Sequence, residues 1–478
     1  MRQRPRRLGI SRQPRTLSTG RKHNSRWKLM KDFESILKKN NTEIFISETR
    51  LSEYPIDSDS TYTRSVTETG YMIRTLKDNR LGTSTSNIMD KEAIKKTAQL
   101  SLASSKHAEK LPKSFSFTDT KGKTPVSGTF DNTISKDMDT LSANLREECQ
   151  KTAAESGIIL TNGKIKLTEF KYTIMNCLGI EKTERGTYIS AVIDSKADTK
   201  QPLAELSSTY IKRTYQKSDF TGWLKNRIDI TKKCINPQKL KTASYNLILS
   251  PSVAGPIMLD TIGYWASGKS RLDGISLFEG KENKAVASPN FTATDDPTYP
   301  DAPSTFSIDM EGTKTKKTNI IKNGIFSNYI YDNKYASHAD TKSTGNCKKA
   351  TFMGSEKIYT AGNFSGMHNL SIDQGTEYLE SLLSNFSGIY IEAVGIPSAD
   401  HETGNFGFEL RNAFLVDKGA MTPVRYAIYS GKVQDLIRDT KTMSKEREIV
   451  TDPMAPEYNS ACITPYFLIE NQKISAAK

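Results

Sequence analysis

The 478-residue sequence lacks any apolar run near the ~20 residues that a membrane-spanning helix needs. Its longest apolar runs, at 188–193 and 388–396, have the length of a strand. Hydrophobic residues make up 36% and charged residues 26%, which is the balance of a folded globular protein. The composition therefore excludes a fibrous or disordered chain and predicts no membrane partner.

Cysteine and histidine are scarce, with five of each. The cysteines are widely spaced and form no CxxC pair, which argues against a disulfide framework and a Cys-type zinc site and favours a reducing compartment such as the cytoplasm. No two histidines form HExxH or another pair spaced for one helix. One alternative stays open, an autonomous zinc hydrolase with dispersed ligands drawn from the acidic turns and from three histidines: His338, His368 and His401.

Positive charge is concentrated at the start of the chain. The formal net charge is +14, but residues 1–29 hold ten basic side chains and no acidic one, so the body is close to neutral. This distribution argues against nucleic acid as a partner of the body. We predict that residues 1–29 form a disordered basic extension. A transit peptide, a nucleic-acid contact and a true start at Met30 are the other interpretations of this segment.

The first half mixes helix and strand patterns. Apolar spacing predicts helices over 91–108 and 136–156, the second one ended by Gly157 in the left-handed conformation. Runs rich in β-branched and aromatic residues predict strands at 43–47, at 71–76 with a second strand after the turn, and through 158–193.

The second half, from Tyr245 onward, reads as short strands between Gly and Pro turns, with one late helix at 376–385. We therefore predict an α+β fold. Its parts are a basic extension (1–29), an N-terminal α+β domain (30–235) and a large, mainly antiparallel, β-rich C-terminal domain (236–478).

Residues 263–270, GYWASGKS, match the phosphate-binding pattern G-x-x-x-x-G-K-[ST]. Such a loop binds phosphate when a buried strand enters it and a helix leaves it, because the loop amides and the helix N-terminus make the contacts. Tyr264 and Trp265 put bulk where the loop must wrap closely. A P-loop nucleotide-binding protein is therefore an alternative, with three residues on the phosphates: Gly268, Lys269 and Ser270.

Several polar turns of the second half occur in a characteristic order: 295–297 (DDP), 306–312 (FSIDMEG), 343–346 (STGN), 404–406 (GNF) and 428–433 (IYSGKV). Their carboxylates suit either acid–base chemistry or capping of their own turns, and capping explains them at least as well. In this order the turns resemble those of the TldD/PmbA (TldE) family. Residues 73–82 (IRTLKDNRLG) are similar to the family's entry pattern.

The resemblance also locates a zinc motif. Catalytic TldD-type members hold zinc in a His-Glu-x-x-x-His segment around a Gly turn, with the Glu as general base. The corresponding segment here is 259–264, where Leu259 and Tyr264 replace the histidines, Asp260 replaces the Glu and Gly263 is expected in the turn. Neither leucine nor tyrosine is a useful zinc ligand at neutral pH. No catalytic residue, metal or cofactor is therefore expected in this chain.

The resemblance implies a PmbA/TldE-like member, the non-catalytic subunit of a cytoplasmic metalloprotease complex that degrades unfolded or modified peptides. Its expected partners are a peptide substrate and a TldD-like homologue that carries the zinc. Self-association and residual activity stay open at this point.

Overall fold

The computed structural model describes residues 30–56, 63–197, 205–350, 357–451 and 460–476. The predicted basic extension lies outside these residues. Helices and strands both occur, and most strand pairs are antiparallel, which confirms the predicted α+β class. Within the described residues no helix is long and apolar enough to cross a bilayer.

The first sheet contains six antiparallel strands in the order β3-β2-β1-β4-β5-β6. Each strand predicted in the first half falls within it. Strand β6 forms one edge of the sheet. The strands are β1 (Thr42–Pro55), β2 (Arg64–Lys77), β3 (Arg80–Ser86), β4 (Ile158–Asn176), β5 (Glu181–Ala197) and β6 (Glu205–Lys212).

Five helices accompany this sheet: α1 (residues 30–37), α2 (Lys91–Ser104), α3 (Asn132–Lys136), α4 (Met138–Glu155) and α5 (Lys217–Lys233). The Asp90 side chain begins α2 by accepting a hydrogen bond from the Ala93 amide at 2.8 Å. Gly157 follows α4 with φ +65°, as predicted. Helices α2 and α4 confirm the two predicted helices, whereas α5 was not predicted.

The second sheet has twelve strands, with a main path β11-β10-β9-β14-β20-β8-β15-β16-β17-β7. Strand β18 pairs with β16 and β20, and strand β19 pairs with β20. A separate hairpin joins β12 to β13. The strands are β7 (Gln238–Lys239), β8 (Ala243–Leu249), β9 (Ala293–Asp295), β10 (Thr318–Lys322), β11 (Ile325–Phe326), β12 (Cys347–Lys349), β13 (Asn363–Ser365), β14 (Asn369–Ile372), β15 (Ser387–Val394), β16 (Asn405–Asp417), β17 (Ala420–Arg425), β18 (Ala427–Lys432), β19 (Thr440–Thr451) and β20 (Ala461–Ala476).

The helices of this half are α6 (Pro251–Trp265), α7 (Gly268–Leu272), α8 (Asn333–His338), α9 (Leu379–Ser384) and α10 (Val433–Arg438). Helix α9 lies within the predicted late helix. Helix α6 is a correction, because we predicted only strands and turns here. Pro251 starts it, at a position where its missing N–H is not needed.

Gly263 lies in the last turn of α6, so the prediction of a turn glycine is wrong. The helix was missed because it is buried on nearly all sides and so shows no alternation of polar and apolar faces. Its interior also contains Gly255 and Pro256, both of which usually weaken helices.

One of the apolar clusters of the described residues contains side chains of both sheets. It includes Ile165 of β4 and Ile189 of β5 from the first sheet, with Tyr390 of β15, Phe414 of β16 and Tyr466 of β20 from the second. The shared core fixes β6 of the first sheet beside β19 of the second.

Candidate functional site

The segment that replaces the zinc motif lies on helix α6. Leu259 is buried, Asp260 is exposed and Tyr264 is half-buried. Ser252, Pro256, Asp260 and Tyr264 follow each other at intervals of four, so they share one side of the helix. The segment therefore presents a carboxylate and a phenol along this side, while Leu259 faces the core.

His401 is the one candidate histidine that lies against this segment. Its ring centroid is 4.3 Å from that of Tyr264. The Trp265 indole N–H donates a hydrogen bond to the His401 carbonyl at 2.7 Å, which ties the loop to the end of α6. In the same loop, Asp400 accepts the Thr403 amide at 2.8 Å, and its hydrogen bonds to Thr403 hold its pKa below the usual value.

The other two histidines lie elsewhere. His368 is buried, its Nε2 is 2.8 Å from the Gly345 carbonyl oxygen, and burial lowers its pKa to about 3. His338 ends helix α8. In the part of the chain that the structure describes, no three His, Cys, Asp or Glu side chains are grouped to hold a metal.

The residues of the replaced motif do not fit a zinc ion. A catalytic zinc site needs about three protein ligands and an open position, and Leu259 offers no donor atom. The helical geometry adds a second obstacle. Residues five apart on a regular α-helix, such as 259 and 264, point about 140° apart, since the helix has about 3.6 residues per turn. Side chains at these two positions of α6 do not converge on one ion.

The P-loop pattern is not arranged as a phosphate-binding loop. Gly263 belongs to α6, and the Gly268 amide donates a hydrogen bond to the Ile330 carbonyl at 2.8 Å. A Cβ at Gly268 would stand 2.3 Å from the Tyr331 ring, so glycine is needed there for packing. The Lys269 ammonium pairs with the Asp273 carboxylate, and Ser270 is buried. The strand–loop–helix geometry that binds phosphate is replaced by two successive helices.

The acidic turns of the second half are structural. Asp309 accepts the amides of Glu311, Thr313 and Cys347 at 2.9, 2.8 and 3.0 Å. Asp296 caps its own turn by accepting the Thr298 amide at 2.9 Å. Capping, the simpler of the two interpretations, therefore accounts for both carboxylates.

A groove of about 900 Å³ lies between the two sheets. One wall is residues 206–212 of β6, and the other is residues 447–451 of β19. The rest of the lining comes from helix α5, from Ser252 and Pro256 of α6, from residues 299–300, and from residues 392–395 with Pro397. The groove thus reaches the same side of α6 that carries Asp260 and Tyr264.

Both walls of this groove are sheet edges. Among the described residues, β6 pairs with β5 alone, and residues 447–451 of β19 pair with β20 alone. An open edge leaves backbone N–H and C=O groups ready to pair with an added strand. The groove can therefore hold an extended chain by main-chain hydrogen bonds. Sequence patterns do not reveal this groove, because its walls lie more than 200 residues apart along the chain.

An ion pair lies in the groove wall beneath these edges. The Arg227 guanidinium contacts the Glu392 carboxylate at 2.6 Å, and both side chains are largely buried. Burial raises the pKa of Glu392, while Arg227 opposes the shift. The Ser250 hydroxyl donates to the Glu392 carbonyl at 2.7 Å, which connects this wall to the start of α6.

Two family models match the chain. The PmbA/TldA metallopeptidase C-terminal domain matches residues 242–476, and domain 1 of the same family matches residues 60–105. An uncharacterised protein of Methanocaldococcus jannaschii is 26% identical over 376 residues, which is 77% of this chain and 83% of that protein.

Two metalloproteases are similar over a shorter region. One, from Methanocaldococcus jannaschii, is 29% identical over 43% of this chain and 44% of its own length. The other, a TldD homologue of Buchnera aphidicola, is 27% identical over 42% of this chain and 41% of its own length. The chain therefore aligns with less than half of either metalloprotease.

The crystal structure of TldE from Thermococcus kodakarensis has the same fold. It superimposes with a TM-score of 0.81 at 20% identity and covers 94% of this chain and all of that one. The two family models together match more than half of the chain, so the chain belongs to the PmbA/TldD metallopeptidase family.

Proposed function

We propose that this chain is the non-catalytic, TldE-like subunit of a cytoplasmic TldD/TldE-like metalloprotease complex, in which it binds unfolded or modified peptides for degradation. The observation that carries the proposal is the groove between β6 and β19, which has two open edges and lies beside a motif segment whose side chains do not fit zinc. Main-chain pairing is tolerant of sequence, as a peptidase for varied unfolded peptides requires.

The partner in this proposal is a homologue that retains His-Glu-x-x-x-His and supplies the zinc. Nothing in the chemistry of Leu259, Asp260 and Tyr264 replaces that ion, so hydrolysis depends on the partner. The role of this chain is to hold and orient the peptide. Its five free cysteines accord with a reducing compartment, which supports the cytoplasm as the location.

The test is to purify the full chain alone and together with its zinc-bearing homologue from the same cells. We expect the tagged chain to recover the homologue. We also expect the pair, but not the chain alone, to bind stoichiometric zinc and to cleave casein-derived peptides. Zinc content measured by mass spectrometry and cleavage measured by chromatography are the two readouts.

Stoichiometric zinc and cleavage by the chain alone would contradict the proposal and favour an autonomous hydrolase. A matched control is the chain with His401→Asn. This variant removes the one candidate histidine beside α6 and should leave the activity of the pair within about twofold, because the zinc is assigned to the partner.

A further inference from the structure

Arg447 is the groove cation that has no carboxylate partner among the described residues. Of the other two cations in the lining, Arg227 pairs with Glu392 at 2.6 Å and Lys212 lies 3.4 Å from Asp301. Both of these charges are therefore already compensated within the protein.

The hydrogen bonds of Arg447 engage only one of its nitrogens. Nη1 donates to the Ser371 hydroxyl and to the Ile372 carbonyl, both at 3.2 Å, and the guanidinium carbon lies 5.6 Å from the centre of the Tyr299 ring. A guanidinium carries five N–H donors in a planar fork, so donors on Nε and Nη2 are available. Such a fork matches a carboxylate by two parallel hydrogen bonds.

The strand geometry holds Arg447 in place. The pairing of β19 with β20 shifts register between Met443 and Arg447 and is regular from Arg447 to Thr451. A bulge of this kind re-aims the side chain that follows it. Arg447 is also the first β19 residue in the groove lining, so its guanidinium marks one end of that edge.

Three residues of the lining have a buried hydroxyl group with no hydrogen-bond partner among the described residues: Ser208, Tyr210 and Thr451. These oxygens are shielded from solvent, so a peptide in the groove does not reach them. The polar groups open to a peptide are the main-chain groups of the two strand edges and the guanidinium of Arg447.

We infer that Arg447 binds the terminal α-carboxylate of a peptide lying in this groove. The preceding peptide residues run beside β19 toward Thr451, a distance of about four residues at ~3.3 Å each. This inference rests on the proposed function, because it names the end of the peptide that the groove selects. The preferred substrate class is then free peptides whose carboxyl terminus lies close to the segment bound in the groove.

The other charged residues of the groove favour a ligand group that carries a single negative charge. Glu448 and Asp219 also line it, so a doubly charged phosphate would meet more repulsion than a carboxylate. A carboxylate on an acidic side chain has the same chemistry as a terminal one. The experiment must therefore separate these two sources.

The test measures binding of three eight-residue Ala/Ser-rich peptides to the full chain by fluorescence anisotropy. One peptide ends in a free carboxylate, the second in an amide, and the third in an amide but with one internal Glu. We expect the free acid to bind at least about tenfold more tightly than either amide, since a hydrogen-bonded charge pair is worth about that factor.

Arg447→Gln should abolish the difference between acid and amide, and Arg447→Lys should keep only part of it because the fork is lost. Arg438→Gln is the matched control, since Arg438 is exposed and pairs with Asp435 at 2.8 Å away from the groove. Thermal melting shows whether each variant is folded. The comparison of the three peptides on the unchanged chain needs no variant at all.

Equal binding of acid and amide would overturn the inference and leave peptide binding in the groove intact. Equal binding of the free acid and the internal-Glu peptide would overturn the assignment to a chain terminus. Failure of all three peptides to bind would instead count against the proposed function. The two ideas therefore fail in distinguishable ways.

Discussion

At the scale of single residues, Arg213 shows how this fold uses a buried charge without a carboxylate. The side chain is fully buried, and its donors reach four backbone carbonyls, those of Thr129, Thr187, Pro303 and Thr305, at 2.9 to 3.1 Å. These carbonyls belong to three separate segments of the chain, around Thr129, around Thr187 and at 303–305. Arg213 thus fastens residues 303–305 to the edge of the first sheet.

Arg213→Met should lower the free energy of unfolding by at least about 3 kcal/mol, because the buried carbonyls of Thr187 and Thr305 lose the guanidinium donor. The carbonyls of Thr129 and Pro303 each keep one other donor. The control is Arg185→Met, which removes a half-exposed guanidinium paired with Glu169 at 2.6 Å and should cost about 1 kcal/mol or less. Urea unfolding of both variants measures the difference. Similar losses in the two would show that Arg213 contributes no more than a surface ion pair.

At the scale of elements, α6 is the helix on which the groove and the replaced motif depend. Its two glycines meet different surroundings. A Cβ at Gly255 would stand 2.2 Å from Val450 Cγ2 of β19 and 3.1 Å from Thr464 Cγ2 of β20. A Cβ at Gly263 would meet nothing nearer than Met367 Cβ at 3.8 Å. Gly255 therefore lets α6 approach the wall of the groove, whereas Gly263 is not needed for close packing.

Gly255→Ala should destabilise the protein by about 1 kcal/mol or more, since the clash with β19 and β20 exceeds the gain of about 1 kcal/mol in helix propensity. Gly263→Ala, in the same helix, should instead stabilise it by about 0.5 kcal/mol. The shift in the urea midpoint of each variant is the measurement. Effects of the same sign in both variants would refute this account of α6.

Sequence patterns located the elements that have one polar and one apolar side. Helices α2 and α4 follow from such alternation and from caps such as Asp90 and Gly157, and the strands of the first sheet follow from runs rich in β-branched and aromatic residues. Helix α5 has the same signal, with Phe220, Leu224 and Ile228 at intervals of four, and could have been found. Helix α6 could not, because a helix buried on nearly all sides shows no such period. Sequence patterns did not predict the groove either, because it forms only when β6 and β19 pack beside each other in the folded chain.

At the scale of the whole molecule, a buried charge cluster joins the first sheet to the second half of the chain, in addition to the apolar contacts between the sheets. The Arg74 guanidinium of β2 lies 2.6 Å from Glu43 of β1 and 2.8 Å from Glu311, which belongs to the second half. All three side chains are almost fully buried. Burial raises the pKa of Glu43 to about 7, while Arg74 opposes the shift. The cluster therefore links the stability of the two halves to pH.

Arg74→Met should cost about 3–5 kcal/mol at pH 8.5, because two buried carboxylates lose their counter-charge. The pKa of Glu43 is already above its ordinary value and should rise further without Arg74. Between the unfolded and folded pKa values the folded protein then holds more protons than the unfolded one, so stability falls as pH rises. The loss caused by the variant should be smaller at pH 6 than at pH 8.5.

The control for this prediction is Arg50→Met, whose guanidinium is half-exposed beside Glu169 and which should cost about 1 kcal/mol or less at both pH values. Urea unfolding of the full chain at the two pH values measures these losses, and a loss from Arg74→Met that stays constant or grows toward pH 6 would contradict the assignment.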